Sequence, residues 1–65
     1  MNLNPYERKI MKELYYAGKP LTTNEVAEKS DLSWQTAKKH LEQMRERGLL
    51  NHGKKGSAIY WWIKV

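Results

Sequence analysis

Ser33-Trp34-Gln35-Thr36-Ala37-Lys38-Lys39-His40-Leu41-Glu42-Gln43-Met44-Arg45-Glu46-Arg47-Gly48-Leu49-Leu50 is the stretch whose reading decides the fold. Ser33 suits a helix N-cap, because its hydroxyl can accept from the free N–H groups of the first turn. Ala37, Leu41 and Met44 fall at i, i+4 and i+7, one apolar stripe of an α-helix. His40 lies at the edge of that stripe, where helix packing is its expected role. Gly48 stops the helix, since glycine takes the left-handed conformation after a helix end at least cost. The opposite face carries Gln35, Thr36, Lys38, Lys39 and Gln43, amides and hydroxyls beside cations, with few acids near its start. A helix divided in this way can pack on a core with one side and lie in a DNA groove with the other.

Upstream, Asn4-Pro5-Tyr6-Glu7 reads as a helix start. Asn4 can cap, Pro5 suits the first helical position, and Glu7 can close a capping box. Tyr6, Ile10, Leu14 and Ala17 repeat at helical spacing with Met11 beside them, and Gly18 and Pro20 end the run. Tyr15 and Tyr16 cannot both face inward, so at least one is expected at the surface. Leu21 follows in a segment long enough only for a stub of strand. Thr22 or Thr23 then caps a second helix over about residues 24–30, with Val26 and Ala27 inward, and Leu32 is expected to plug the angle before the next helix. Two helices joined by three or four residues, the second with a polar, basic face, form a helix-turn-helix.

Downstream, residues 49–52 can form a short strand, and Gly53-Lys54-Lys55-Gly56-Ser57 reads as a glycine-flanked basic turn. Residues 58–65 alternate, with Ile59, Trp61, Ile63 and Val65 on one face and Tyr60, Trp62 and Lys64 on the other, so the two segments read as a β-hairpin. The expected fold is α+β: a single domain over residues 1–65, a three-helix bundle with a strand stub between the first two helices and a C-terminal hairpin.

With these residues assigned, the sequence resembles the ArsR/MarR-like class of winged helix-turn-helix domains found in bacterial, archaeal and archaeal-viral regulators. The resemblance is carried by Glu25-Val26-Ala27, Leu32-Ser33, Thr36-Ala37-Lys38-Lys39-His40-Leu41 and Gly48-Leu49-Leu50, and extends to Arg8, Ile10, Met11 and Leu14. It implies that the early face of the third helix, with Ser33, Trp34, Gln35, Thr36, Lys38, Lys39 and Gln43, enters the major groove of double-stranded DNA, where glutamine suits adenine and lysine suits guanine or phosphate. Trp34 can contact a sugar or a thymine methyl, or fold back onto the second helix. Lys54, Lys55 and Ser57 at the hairpin tip suit a wing that reaches a phosphate or the minor groove, with backbone contact the favoured of the two. Regulators of this class usually dimerise through helices outside the core, for which these 65 residues have no counterpart. A homodimer, stable or formed on DNA, is therefore expected through the first helix or the outer hairpin face, using Tyr15, Tyr16, Tyr60 and Trp62. The Trp61-Trp62-Ile63 ending is similar to that of Z-DNA-binding winged helices, but Lys38 and Glu42 stand where those domains need asparagine and tyrosine.

Charge supports the same half of the chain. Residues 1–32 hold five cations and five acids, whereas residues 33–65 hold seven cations and two acids, so the whole net charge of +5 belongs to the second half. Such an excess in one region suggests a polyanion-binding surface. There is no cysteine, and His40 and His52 do not make a metal site, so neither a metal nor a cofactor is expected. The metal-sensing clusters of ArsR-type repressors are absent, and no small-molecule effector is evident. No paired carboxylates, phosphate-binding glycine motif or serine with a partnered base suggests catalysis, and an enzyme is not expected. No apolar run reaches the roughly 20 residues that span a bilayer, and the first residues lack the apolar segment of a signal peptide. The expected location is the cytoplasm, on the nucleoid. A winged helix that binds protein, or one that binds RNA, is the alternative to a DNA-binding regulator.

Overall fold

The computed structural model describes residues 2–65. Helix α1 spans Pro5–Ala17, strand β1 Leu21–Thr22, helix α2 Thr23–Ser30, helix α3 Trp34–Glu46, strand β2 Leu50–Lys55 and strand β3 Ala58–Ile63. The three helices pack on one another and on an antiparallel sheet of order β1-β3-β2. The expected α+β layout is the one observed.

Local chemistry explains where each helix begins and ends. The Asn4 side chain accepts from the Glu7 backbone N–H at 2.8 Å, and the Glu7 carboxylate accepts from the Asn4 N–H at 3.0 Å. Thr22, not Thr23, repeats the arrangement with Glu25, so α2 starts at Thr23 and that residue is buried inside the helix. Arg47 caps α3, and Gly48 follows at φ 80°. The Gly48 N–H donates to the Arg45 carbonyl and the Leu49 N–H to the Met44 carbonyl, the paired bonds of a Schellman ending. A side chain at Gly48 would be strained by that φ, although space around it is open.

The core comprises Ile10 and Leu14 from α1, Leu21, Val26 and Ala27, the α3 stripe Ala37, Leu41 and Met44, and Leu50 and Trp61 from the hairpin. Leu32 packs half-buried against it. The expected α1 stripe is shifted in phase: Tyr6 is 49% exposed and stacks on His40 with ring centroids 5.2 Å apart, while Glu7 is buried in its place. A carboxylate is tolerated there because Arg47 Nη1 donates to it at 2.9 Å, in addition to the capping bonds. Arg47 Nη2 also donates to the Asn2 carbonyl, so one guanidinium ties the chain's start to the end of α3. Tyr15 and Tyr16 are both exposed, Tyr60 is half-buried, and of the inner β3 face only Trp61 is fully covered.

Leu41 has no exposed surface between the helices, so Leu41→Ala should cost roughly 2–5 kcal/mol. Against a total stability of about 5 kcal/mol for so small a domain, thermal melting should show much of the variant unfolded, and a shift of only a degree or two would contradict this packing.

Burial alone would raise the Glu7 carboxyl, but the Asn4 backbone N–H and the Arg47 guanidinium outweigh it and hold the group below its ordinary 4.5. A lowered folded-state value stabilises above the unfolded value and loses that stabilisation as pH falls through the folded one. Chemical denaturation from pH 7 down to about pH 3 should therefore show stability declining below about 4.5, and Glu7→Gln should be less stable at pH 7 with a shallower acid decline.

Candidate nucleic-acid interface

The exposed side of α3 is two adjacent rows at helical spacing. Gln35, Lys39 and Gln43, at i, i+4 and i+8, are all exposed and have no side-chain partner among the described residues. Trp34, Lys38 and Glu42 form the second row. Lys38 Nζ lies 3.2 Å from Glu42 Oε2 and 5.7 Å from the centre of the Trp34 ring, so it bridges its two neighbours on the row. Glu42 is thus part of the face on which the sequence reading placed only amides, hydroxyls and cations. Its i+4 spacing from Lys38 was the available signal. Ser33 and Thr36 play a different part. The Ser33 hydroxyl accepts from the Thr36 N–H at 3.1 Å and donates to Thr36 Oγ1 at 2.9 Å, so both hydroxyls are used in fixing the start of the helix.

Trp34 is not folded flat onto the second helix. It is 48% exposed and lines a crevice with Thr22, Thr23 and Asn24 at the start of α2 and Ser57 and Ile59 of the hairpin. The indole is one wall of this crevice between the helix-turn-helix and the wing, with half its surface outward. This brings Ser57 alongside the first turn of α3.

The wing differs from the sequence expectation. β2 continues through Gly53 and Lys54 to Lys55, which pairs with Ala58, so the turn is only Gly56-Ser57. Lys54 and Lys55 are strand residues, not loop residues, and successive strand side chains point to opposite faces. Lys54 pairs with Ile59 on the inner face that carries Trp61. Lys55 lies on the outer face with Tyr60, beside Lys19, Thr22 and Glu25. The two cations expected to act together at one tip flank the wing from its two sides.

One contact ties the wing to the helices, and two more fasten its strands to each other. Trp61 Nε1 donates to Thr23 Oγ1 at 2.9 Å inside the core, tying β3 to α2. His52 stacks on the Trp61 ring at 5.3 Å. On the outer face the Trp62 ring crosses Gly53 so closely that a Cβ there would lie 3.2 Å from it, which explains a glycine in mid-strand. Among the described residues no group of three or more His, Cys, Asp or Glu could hold a metal ion, and no helix is long and apolar enough to cross a membrane.

With this geometry in place, comparison with known proteins is informative. A search of curated protein sequences returned no match. Among solved structures, the AntR antimony-specific transcriptional repressor is similar with a TM-score of 0.86 at 19% identity, over 95% of this chain and 55% of that one. A predicted DNA-binding transcriptional regulator from E. coli gives a TM-score of 0.85 at 27% identity, over 95% of this chain and 64% of that one. Human N-acetylserotonin methyltransferase contains the same fold, with a TM-score of 0.83 at 20% identity over 91% of this chain but 17% of the enzyme. The chain spans less than two thirds of the length of either regulator. The family model described as winged helix-turn-helix DNA-binding matches residues 3–51, which include all three helices. The chain belongs to the winged helix-turn-helix DNA-binding family.

Proposed function

We propose that this protein is a small transcriptional regulator that binds double-stranded DNA sequence-specifically, with α3 in the major groove and the hairpin on the backbone. The carrying observation is the pair of exposed rows on α3 beside the wing, in the half of the chain that holds the entire +5 charge. Gln35, Lys39 and Gln43 are free to meet base edges, glutamine pairing with adenine and lysine with guanine. Ser33 and Thr36 set the angle at which the helix starts, and the outward half of Trp34 is available to a sugar or a thymine methyl. Lys54 and Lys55 would neutralise phosphates on either side of the wing, with the Ser57 hydroxyl at its tip. The reading is of a binding module in the cytoplasm, on the nucleoid, and assigns it no chemistry of its own.

Two copies on adjacent half-sites would double the readout of a single module, which buries only roughly 600–1,000 Å². The pairing is proposed to form on DNA rather than in free solution, and through the outer hairpin face around Tyr60, because the surface on α1 is rimmed by Arg8, Lys12 and Lys19. Exposed Tyr15, Tyr16 and Trp62 favour a protein contact in addition to the DNA-binding face, not in place of it.

Mobility shift on a duplex between about 50 and 200 mM salt should show binding that weakens steeply. Lys54→Ala and Lys55→Ala should each lower affinity for all sequences alike and each reduce the salt slope by about 1. No binding at the low-salt end would overturn the proposal. Removing the Glu42 charge frees Lys38 and deletes a like-charge repulsion with phosphate. Glu42→Gln should therefore tighten binding to random duplex about two- to fivefold and narrow its discrimination between sequences, as read by competition titration. Sedimentation equilibrium should find a monomer alone and two copies per duplex bearing a repeated half-site; one copy per such duplex would sink the pairing.

A further inference from the structure

A second surface shares no residue with the α3–wing interface. Two depressions meet at Tyr15 and Ile63 and form one groove between α1 and the end of β3, each lobe about 540–550 Å³. Its floor is aliphatic, with Met11, Leu14, Pro20 and Ile63. Tyr15 and Tyr16 stand on its wall 71% and 73% exposed, far more than packing inside one domain requires. Its charged lining residues are Arg8, Lys12 and Lys19, and no Asp or Glu side chain lines it. None of the three cations forms an ion pair among the described residues, where the pairs are Lys38–Glu42 and Arg47–Glu7, although Arg8 Nη1 donates to the Leu3 carbonyl at 2.8 Å and Lys19 also borders the depression that holds Glu25.

We propose that this groove docks an acidic, amphipathic helical segment of another protein. An elongated apolar trough beside an exposed helix takes apolar side chains repeating at i, i+3, i+4 and i+7. The unpaired cationic rim selects carboxylates on the flanks of that segment. A second copy of this chain fits worse, because a two-fold contact would set Arg8, Lys12 and Lys19 against their own counterparts. Single-stranded nucleic acid also fits worse. The Tyr15 and Tyr16 rings meet edge to face, at 5.4 Å and 79°, instead of offering parallel platforms for successive bases. The outcome would be a regulator whose DNA face and partner face are separately addressable.

The test uses a labelled helical peptide of about 18 residues, with a leucine stripe at that spacing and glutamate elsewhere, and a twin with lysine for glutamate. Fluorescence anisotropy on the full chain should show the acidic peptide binding about tenfold tighter than the basic one. Tyr15→Ala, at a site too exposed to threaten folding, should weaken it while leaving duplex binding and the melting temperature unchanged. The Lys12→Glu/Lys19→Glu double variant should reverse the preference between the two peptides. Equal binding of both peptides, or binding of neither, would overturn the proposal. So would self-association abolished by Tyr15→Ala, which identifies a second copy as the occupant, or displacement of the acidic peptide by oligo-dT, which identifies a single strand.

Discussion

The buried hydrogen bond from Trp61 Nε1 to Thr23 Oγ1 is the contact on which the geometry of the candidate DNA face depends. Trp61 is the largest fully buried side chain, and its strand is the middle one of the sheet, paired with Leu21 on one side and His52 on the other. An indole N–H in such a place must find an acceptor, since an orphaned buried donor costs about 1–3 kcal/mol. Thr23 provides it from the first turn of α2. The same turn, through Thr22 and Asn24, walls a crevice whose other sides are Trp34 of α3 and Ser57 and Ile59 of the hairpin. The wing, the helix-turn-helix and the start of α3 therefore share one anchor, and the distance from wing to recognition helix is set inside the core.

A second fastening acts at the other end of α3. Glu7 and Arg47, forty positions apart, join the capping box of α1 to the C-cap of α3. Half-exposed Arg47 gives this pair some solvent screening, so its contribution is more to orientation than to stability. Together the two anchors hold α3 with its apolar stripe inward and its two polar rows outward, which leaves the rows free of structural duty except for the Lys38–Glu42 bridge.

Whatever depends on neighbours in sequence was legible before the structure. Asn4 with Glu7, Ser33 before α3, Gly48 after it, and the Ala37-Leu41-Met44 stripe all follow from helix-end chemistry and a period of 3.6 residues, and each is where the sequence places it. What depends on distant partners was not legible. Tyr6 and Glu7 compete for one inward position, and only Arg47 makes the carboxylate the better occupant. Lys54 and Lys55 look like a pair in a glycine-flanked turn until the strand register shortens that turn to Gly56-Ser57 and sends them to opposite faces. The position of Trp34 likewise follows from the wing's proximity, which no local pattern encodes. The roles proposed for Gln35, Lys39 and Gln43 toward DNA rest on their exposure and their place on α3, and that of half-buried Lys38 on its place in the neighbouring row.

The central claim is that duplex DNA lies along the outward rows of α3 and the two sides of the wing. Backbone amide NMR of the labelled protein, titrated at low salt with a duplex just long enough for one copy, addresses it residue by residue. The account predicts that resonances of residues 33–43 and 53–58 shift while those of Tyr15, Tyr16 and Trp62 stay in place. Shifts gathered on Tyr15, Tyr16 and Trp62, with α3 and the wing unmoved, would contradict it.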